Sequence, residues 1–358
     1  MFPAGNTGIK MKKLDLSGMV LAPEAYTEIL KAAINRGRRV SFKSVKNRDM
    51  LFRYKLVAKK RIDTVTSYIT RRLKRIYITT PFINDLHPFY KELIKVTICL
   101  DEFKISLALI KRSVEIILKI SEEQKNKINK AQSVEEIRRY EKQFIARTSS
   151  VLKKLDKYLK SLRKYQIALS KLPDIDPYID TIVVAGPPNV GKSSFIRYVS
   201  RAKPEVREYP FTTKNLVLGH IEKGDKKIQI IDTPGLLDRP ISKRNRIELR
   251  AIFALKYLAR VIVFILDPSE TCGYPITYQI NVLKEISASF KEVPMIVVLN
   301  KIDVADEEKI SYVKNLLEKL RLGNVIEVNE ISVKEGINVH ETLEKAIRMI
   351  GARLMLTR

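Results

Sequence analysis

Lys192 and Ser193 close the segment GPPNVGKS, Gly186 to Ser193, with the spacing G-x-x-x-x-G-K-S. Glycines so spaced let backbone N–H groups wrap phosphate oxygens, and a following helix turns its N-terminus toward them. Lys192 then reaches the outer phosphates, and the Ser193 hydroxyl suits Mg²⁺. Pro188, Asn189, Val190, Gly191 and Ser194 complete this loop. Further on, IIDTPG ends an apolar run at Asp232. An acid there holds a Mg²⁺ shell through water. Thr233, Pro234 and Gly235 follow, and the Gly235 N–H is placed for a γ-phosphate. Between the two motifs, EYPFTTK offers Thr212 and Thr213. Either could give Mg²⁺ a second hydroxyl and order the loop when a γ-phosphate is bound. NKID, Asn300 to Asp303, comes after the apolar MIVVL. The Asp303 carboxylate suits the two donors on guanine N1 and N2. Adenine lacks both and would leave the carboxylate unpaired. The Lys301 stem would lie on the base plane. Ser332, Val333 and Lys334 would bring loop N–H groups near guanine O6.

The collinear order of these motifs implies a GTP-binding switch domain that takes GTP or GDP with Mg²⁺ and hydrolyses GTP. Lys192 and one of Thr212 and Thr213 are the expected catalytic groups. Leu236 follows Gly235, an apolar side chain where a water-orienting group would otherwise stand, so unassisted hydrolysis is expected to be slow.

Strands and helices must carry these loops to one place. Near-continuous Val/Ile runs mark strands at 181–185, 215–221, 227–232, 261–266, 295–300 and 324–328. Separated by helical segments, they predict an α/β domain of doubly wound type with a mostly parallel sheet. Before it the pattern is helical. Leu51, Ala58, Ile62, Val65, Ile69, Leu73 and Ile76 form one apolar stripe, and Ile137, Phe144, Thr148, Val151, Leu155 and Leu162 another. Shorter helices are expected over 24–36, 89–100 and 103–120. The whole predicts an antiparallel helical bundle over 1–171. A proline-broken linker covers 172–180, and the nucleotide domain covers 181–358.

Charge assigns the bundle a partner. The chain of 358 residues has 67 Lys and Arg against 40 Asp and Glu, a net charge of +27. Residues 31–80 alone carry 16 basic and 2 acidic residues. So local an excess suggests a polyanion such as RNA. Arg53, Lys55, Lys59, Lys60, Arg61, Arg71, Arg72, Lys74 and Arg75 are the candidate contacts, with Tyr54 and Tyr68 as possible stacking platforms. No apolar run approaches the roughly 20 residues of a membrane span, and the N-terminus lacks a signal-peptide core. With only Cys99 and Cys272, a disulfide framework and a cysteine zinc site are excluded, which fits a cytoplasmic setting. His87, His220 and His340 are too scattered for a metal site.

The segment KPEVREYPFTTK resembles the Obg superfamily of G proteins, which implies that Thr213 is the Mg²⁺ ligand. HPFY (87–90), LPDIDP (172–177), RNRIELRAIFAL (244–255) and DPSETCGY (267–274) further resemble the Nog family of nucleolar GTP-binding proteins, in its archaeal type. That likeness implies a helical domain ahead of the G domain. It also implies an assembly role on the large ribosomal subunit precursor, its rRNA and its ribosomal proteins. No DNA or membrane partner is expected, and the protein is expected to be a monomer. Eukaryotic members continue beyond the G domain, and functions of that extension are not carried over. Asn189 occupies the loop position that resembles a K⁺ ligand in potassium-activated G proteins. Two other functions compete: a structural RNA-binding protein with a fixed nucleotide, and a G protein using its basic bundle on a membrane surface.

Overall fold

The computed structural model describes residues 13–41, 49–200, 205–207, 209, 216–224, 226–232 and 235–356. They fall into two compact units. One comprises 14–83 and 97–170, and the other comprises 84–96 and 171–358 with the N-terminal segment.

The first unit is built from α1 (Tyr26–Arg38), α2 (Met50–Thr79), α4 (Leu100–Lys130) and α5 (Val134–Ser170). Between α2 and α4 in the chain lies α3 (Pro88–Thr97). Helix α2 starts where the Asp49 carboxylate accepts from Leu51 N at 3.0 Å. Its buried face repeats every three or four residues through Ala58, Ile62, Val65, Ile69, Leu73 and Ile76. Helices α4 and α5 are joined by a reciprocal cap. Ser133 Oγ accepts from Glu136 N at 3.2 Å, while the Glu136 carboxylate accepts from Gln132 N at 2.8 Å. The α2–α4 pair runs antiparallel, since Lys55 and Lys59 reach Asn129 while Lys125 reaches Asp63. On α5 the buried stripe passes through Leu152 and Leu159, and Val151 is only half-buried. Helix α4 runs ten residues past its expected end at 120.

The clearest departure from the sequence reading concerns α3. A bundle spanning 1–171 would include it, yet residues 84–96 group with the second unit. Tyr90 supplies the reason. Its fully buried hydroxyl donates to the carbonyls of Pro173 (3.1 Å) and Ile175 (2.6 Å) and accepts from Ile175 N at 3.0 Å. HPFY and LPDIDP are thus two halves of one packing unit. Beside Tyr90, burial and the nearby charges of Arg260 and Lys91 hold His87 down at about 4. Its Nδ1 accepts from Phe89 N at 3.3 Å, which requires that nitrogen to be unprotonated. The unfolded chain takes up the proton near the ordinary value of 6.5, and the folded chain only near 4. Stability contributed by neutral His87 is therefore present above 6.5 and lost as pH falls toward 4. A His87→Gln variant should lose less stability over that window than the parent. Denaturant titrations at pH 7 and pH 4.5 measure it, and parallel losses in the two proteins would refute the assignment.

The second unit is a seven-stranded sheet in the order β2-β3-β4-β1-β5-β6-β7. Its strands are β1 (Asp180–Ala185), β2 (Glu205–Arg207), β3 (Leu216–Lys223), β4 (Lys226–Asp232), β5 (Ala259–Leu266), β6 (Met295–Leu299) and β7 (Val325–Glu330). The two pairings at the β2–β3–β4 end are antiparallel, and all others are parallel. The helices are α6 (Lys192–Val199), α7 (Arg246–Ala254), α8 (Ile276–Ser289), α9 (Glu307–Leu320) and α10 (Val339–Leu356). Phe195, Ile196 and Val199 of α6 and Leu343, Ala346 and Ile350 of α10 bury one sheet face against Ile182, Val184, Val263 and Val298. The chain order reverses beside β1, which places the loop after it at a topological switch point. Among the described residues, no helix is long and apolar enough to cross a membrane.

Candidate functional site

Loops after β1, β4, β5, β6 and β7 meet at the carboxyl ends of the strands. Leaving β1, the chain passes Gly186 at φ 136° and Gly191 at φ 105°. Both glycines are obligatory. A Cβ on Gly186 would stand 2.3 Å from Ile265 O, and one on Gly191 2.3 Å from Asn300 Nδ2. A side chain at either also carries left-handed strain of order 1–3 kcal/mol. Between them Pro188 is half-buried, Val190 buried and Asn189 exposed at φ 62°.

Lys192 and Ser193 open α6. Buried Lys192 donates its ammonium to the carbonyls of Gly186 (2.9 Å) and Pro187 (2.7 Å), so it lies against its own loop. Ser193 Oγ donates to Asp232 Oδ2 at 2.5 Å, bringing the two expected Mg²⁺-shell groups together across α6 and β4. This oxygen-only pair suits a hard divalent cation. Ser194, in the same first turn, is exposed.

The NKID and Ser332–Lys334 segments also converge. The Asn300 amide donates to Val190 O at 2.8 Å, and its Oδ1 accepts from Val333 N at 3.1 Å. One side chain thereby ties the phosphate loop to the loop after β7. Ser332 Oγ donates to Asp303 Oδ1 at 2.6 Å and accepts from Glu335 N at 3.1 Å. Asp303 and Lys334 are exposed. Lys301 adopts φ 65° and donates to Asp267 Oδ2 (2.7 Å) and Thr271 Oγ1 (2.9 Å).

Thr212, Thr213, Thr233 and Pro234 lie outside the described residues, as does most of EYPFTTK. Tyr209 of that segment is buried and donates its hydroxyl to Ala251 O on α7 at 2.8 Å. Downstream, Gly235 N donates to Asp238 Oδ2 at 2.8 Å. Buried Arg244 holds Asp238 at 3.0 Å and also donates to the carbonyls of Gly235 (2.5 Å) and Leu236 (2.7 Å). Leu236 is apolar and also buried, at 1% exposure. Asp238, Arg244 and Asp267 belong to no motif with an assigned role. DPSETCGY and RNRIELR signalled the neighbourhood without indicating what the residues do.

In the bundle the nine basic candidates divide. Lys60, Arg71, Arg72, Lys74 and Arg75 are exposed. Lys60, Arg71, Arg72 and Arg75 line one groove with Arg36 and Tyr68. Lys55 and Lys59 are occupied by Asn129 at 2.9 Å each. Arg61 donates to Val40 O at 3.2 Å and pairs with Glu141. Arg53 is half-buried. One face of Tyr68 is covered by the Arg36 guanidinium, 4.3 Å from the ring centroid, rather than open to a base.

Residues 19–176 match the family model described as NOG1 N-terminal helical domain, and residues 246–303 match that of nucleolar GTP-binding protein 1 (NOG1). The chain is 38% identical over 295 residues to an uncharacterized protein of Methanocaldococcus jannaschii, covering 81% of each. It is 34% identical over 285 residues to nucleolar GTP-binding protein 1 of Drosophila melanogaster, covering 79% of this chain and 44% of that one. It is 33% identical over 276 residues to the Saccharomyces cerevisiae protein of that name, covering 76% and 43%. The chain thus spans less than half the length of these nucleolar relatives.

Proposed function

Because this chain belongs to the nucleolar GTP-binding protein 1 family, we propose that it is a GTP-hydrolysing switch that binds large-subunit ribosomal RNA through its basic bundle. The observation that carries the reading is Asn300, whose side chain joins Val190 in the phosphate loop to Val333 in the base-reading loop. Three motifs far apart in sequence are thereby tied together to serve one ligand. Backbone N–H groups of 188–193 cradle the phosphates, Lys192 turns its ammonium from the loop carbonyls to the outer phosphates, and Asp303 reads the guanine edge. Ser193, Asp232 through water and Thr213 would hold Mg²⁺, whose charge would offset that of the reacting phosphoryl group. Gly235 N must leave Asp238 to donate to a γ-phosphate, so the Gly235 peptide is the group that would have to turn.

Titration of the full chain with GDP, GTP and ATP tests the reading. Guanine nucleotides should bind and ATP should not, and equal affinity for GTP and ATP would overturn it. Buried Leu236 cannot orient water, so unassisted turnover should lie at roughly 10⁻⁴ to 10⁻² s⁻¹. Asn189, exposed with left-handed backbone within the phosphate loop, is the proposed K⁺ ligand. Turnover in KCl should then exceed turnover in NaCl, and equal rates would remove K⁺ from the proposal.

A further inference from the structure

We infer that Asp267 is a positioning residue for the guanine pocket, acting through Lys301; this rests on the guanine reading of the site. Asp267 follows β5 and is fully buried. Its Oδ1 accepts from Ser269 N (3.0 Å) and Ser269 Oγ (2.5 Å). Its Oδ2 accepts from Cys272 N (2.8 Å), Thr271 Oγ1 (3.1 Å) and Lys301 Nζ (2.7 Å). Four of these donors belong to its own turn. The fifth is the one cation, and it comes from the base-reading motif after β6. A buried carboxylate is costly unless it meets an opposite charge, so the two groups hold each other. Burial alone would raise the Asp267 carboxyl, but Lys301 and the Ser269 hydroxyl outweigh it and keep the carboxyl ionised.

The consequence falls on Lys301. A free lysine side chain loses about 2 kcal/mol of rotamer entropy when fixed. Here two acceptors, Asp267 and Thr271, fix the ammonium before any base arrives. The methylene stem is left as a preformed wall for the purine face. Such a wall favours every purine alike, whereas Asp303 discriminates among them. Asp267 therefore sets overall purine affinity and leaves the choice of base to Asp303.

The test is a double-mutant cycle read by nucleotide binding, with thermal unfolding as a check on each variant. Asp267→Asn should weaken GDP and inosine diphosphate by the same factor, about tenfold if most of the lysine's fixation is lost. In a Lys301→Met background, which keeps the stem and removes the ammonium, Asp267→Asn should weaken GDP no further. Additive losses would overturn the inference, because Asp267 would then act through its turn alone. Thr271→Val sits at an exposed position and spares both charges. It should weaken GDP a few-fold in the parent and leave the Lys301→Met protein unchanged, and an unaltered parent affinity would also overturn the inference. A parent protein that binds no GDP would overturn the guanine reading itself. A parent that binds GDP normally, with variants equal to it, would sink only the role of Asp267.

Discussion

Asp303→Asn should lose GDP and GTP by about three orders of magnitude or more and gain xanthine nucleotides in their place. A site built to hydrogen-bond a substrate group discriminates by roughly 10⁴ to 10⁵ against an analogue that lacks it. The surroundings of Asp303 also fix which way the new amide faces. Ser332 Oγ accepts from Glu335 N, so its own proton is directed to position 303 at 2.6 Å. The amide oxygen takes that proton and the NH₂ turns toward the base. A donor there repels guanine's N1–H and N2–H₂ and matches the carbonyl of xanthine. Displacement of a fluorescent guanine nucleotide by GDP and xanthosine diphosphate measures both halves. Adding Ser332→Ala should blunt the xanthine gain, since the amide loses its orienting donor. A variant that retains GDP affinity would remove Asp303 from the base-reading role.

Five charge reversals on α2 should abolish binding to the large ribosomal subunit while leaving guanine-nucleotide affinity intact. The positions are Lys60, Arg71, Arg72, Lys74 and Arg75, all exposed. Lys55, Lys59 and Arg61 are excluded because they hold Asn129, Val40 and Glu141, and reversing them would injure the bundle itself. Each phosphate contact contributes about −0.7 to −0.9 to the slope of log K against log salt. If all five make such contacts, their loss should flatten that slope by about 3.5 to 4.5. Co-sedimentation with purified large and small subunits across a KCl series reads both the affinity and the slope. Undiminished pelleting of the reversed protein, or equal pelleting with the two subunits, would contradict the proposed interface.

Much of this was legible before any coordinates. Six strands announced themselves by their Val/Ile runs, the pattern of a sheet covered on both faces, although β3 pairs antiparallel with both of its neighbours. Strand β2, with three residues, is too short to show a pattern. Helix α3 was legible as a helix, but its partner was not. Periodicity shows that Phe89, Tyr90 and Leu93 share a face and says nothing of what covers it. The answer lies in carbonyls more than 80 residues away at Pro173 and Ile175. The same limit hid Asp267 and Asp238. A carboxylate near a strand end looks the same in sequence whether it is solvated or, as at Asp267, fully buried against a lysine. Basic residues are equally alike in sequence, and only the fold separates Lys59, already bonded, from exposed Lys60.

The placement of α3 bears on the order in which the protein can be made. Chains emerge from the ribosome at about 5–20 residues per second. Residues 84–96 are synthesised in the middle of the first unit, and their own unit resumes only at Lys171. The helix therefore waits about 4 to 15 seconds before Pro173 and Ile175 exist. Through that interval Tyr90, completely buried in the finished protein, lacks the partners of its hydroxyl. The first unit is complete by Ser170, so all of its residues are made before the carbonyls that Tyr90 bonds. Cutting the gene at residue 171 would make that separation permanent, leaving Tyr90 on one fragment and the carbonyls that its hydroxyl bonds on the other.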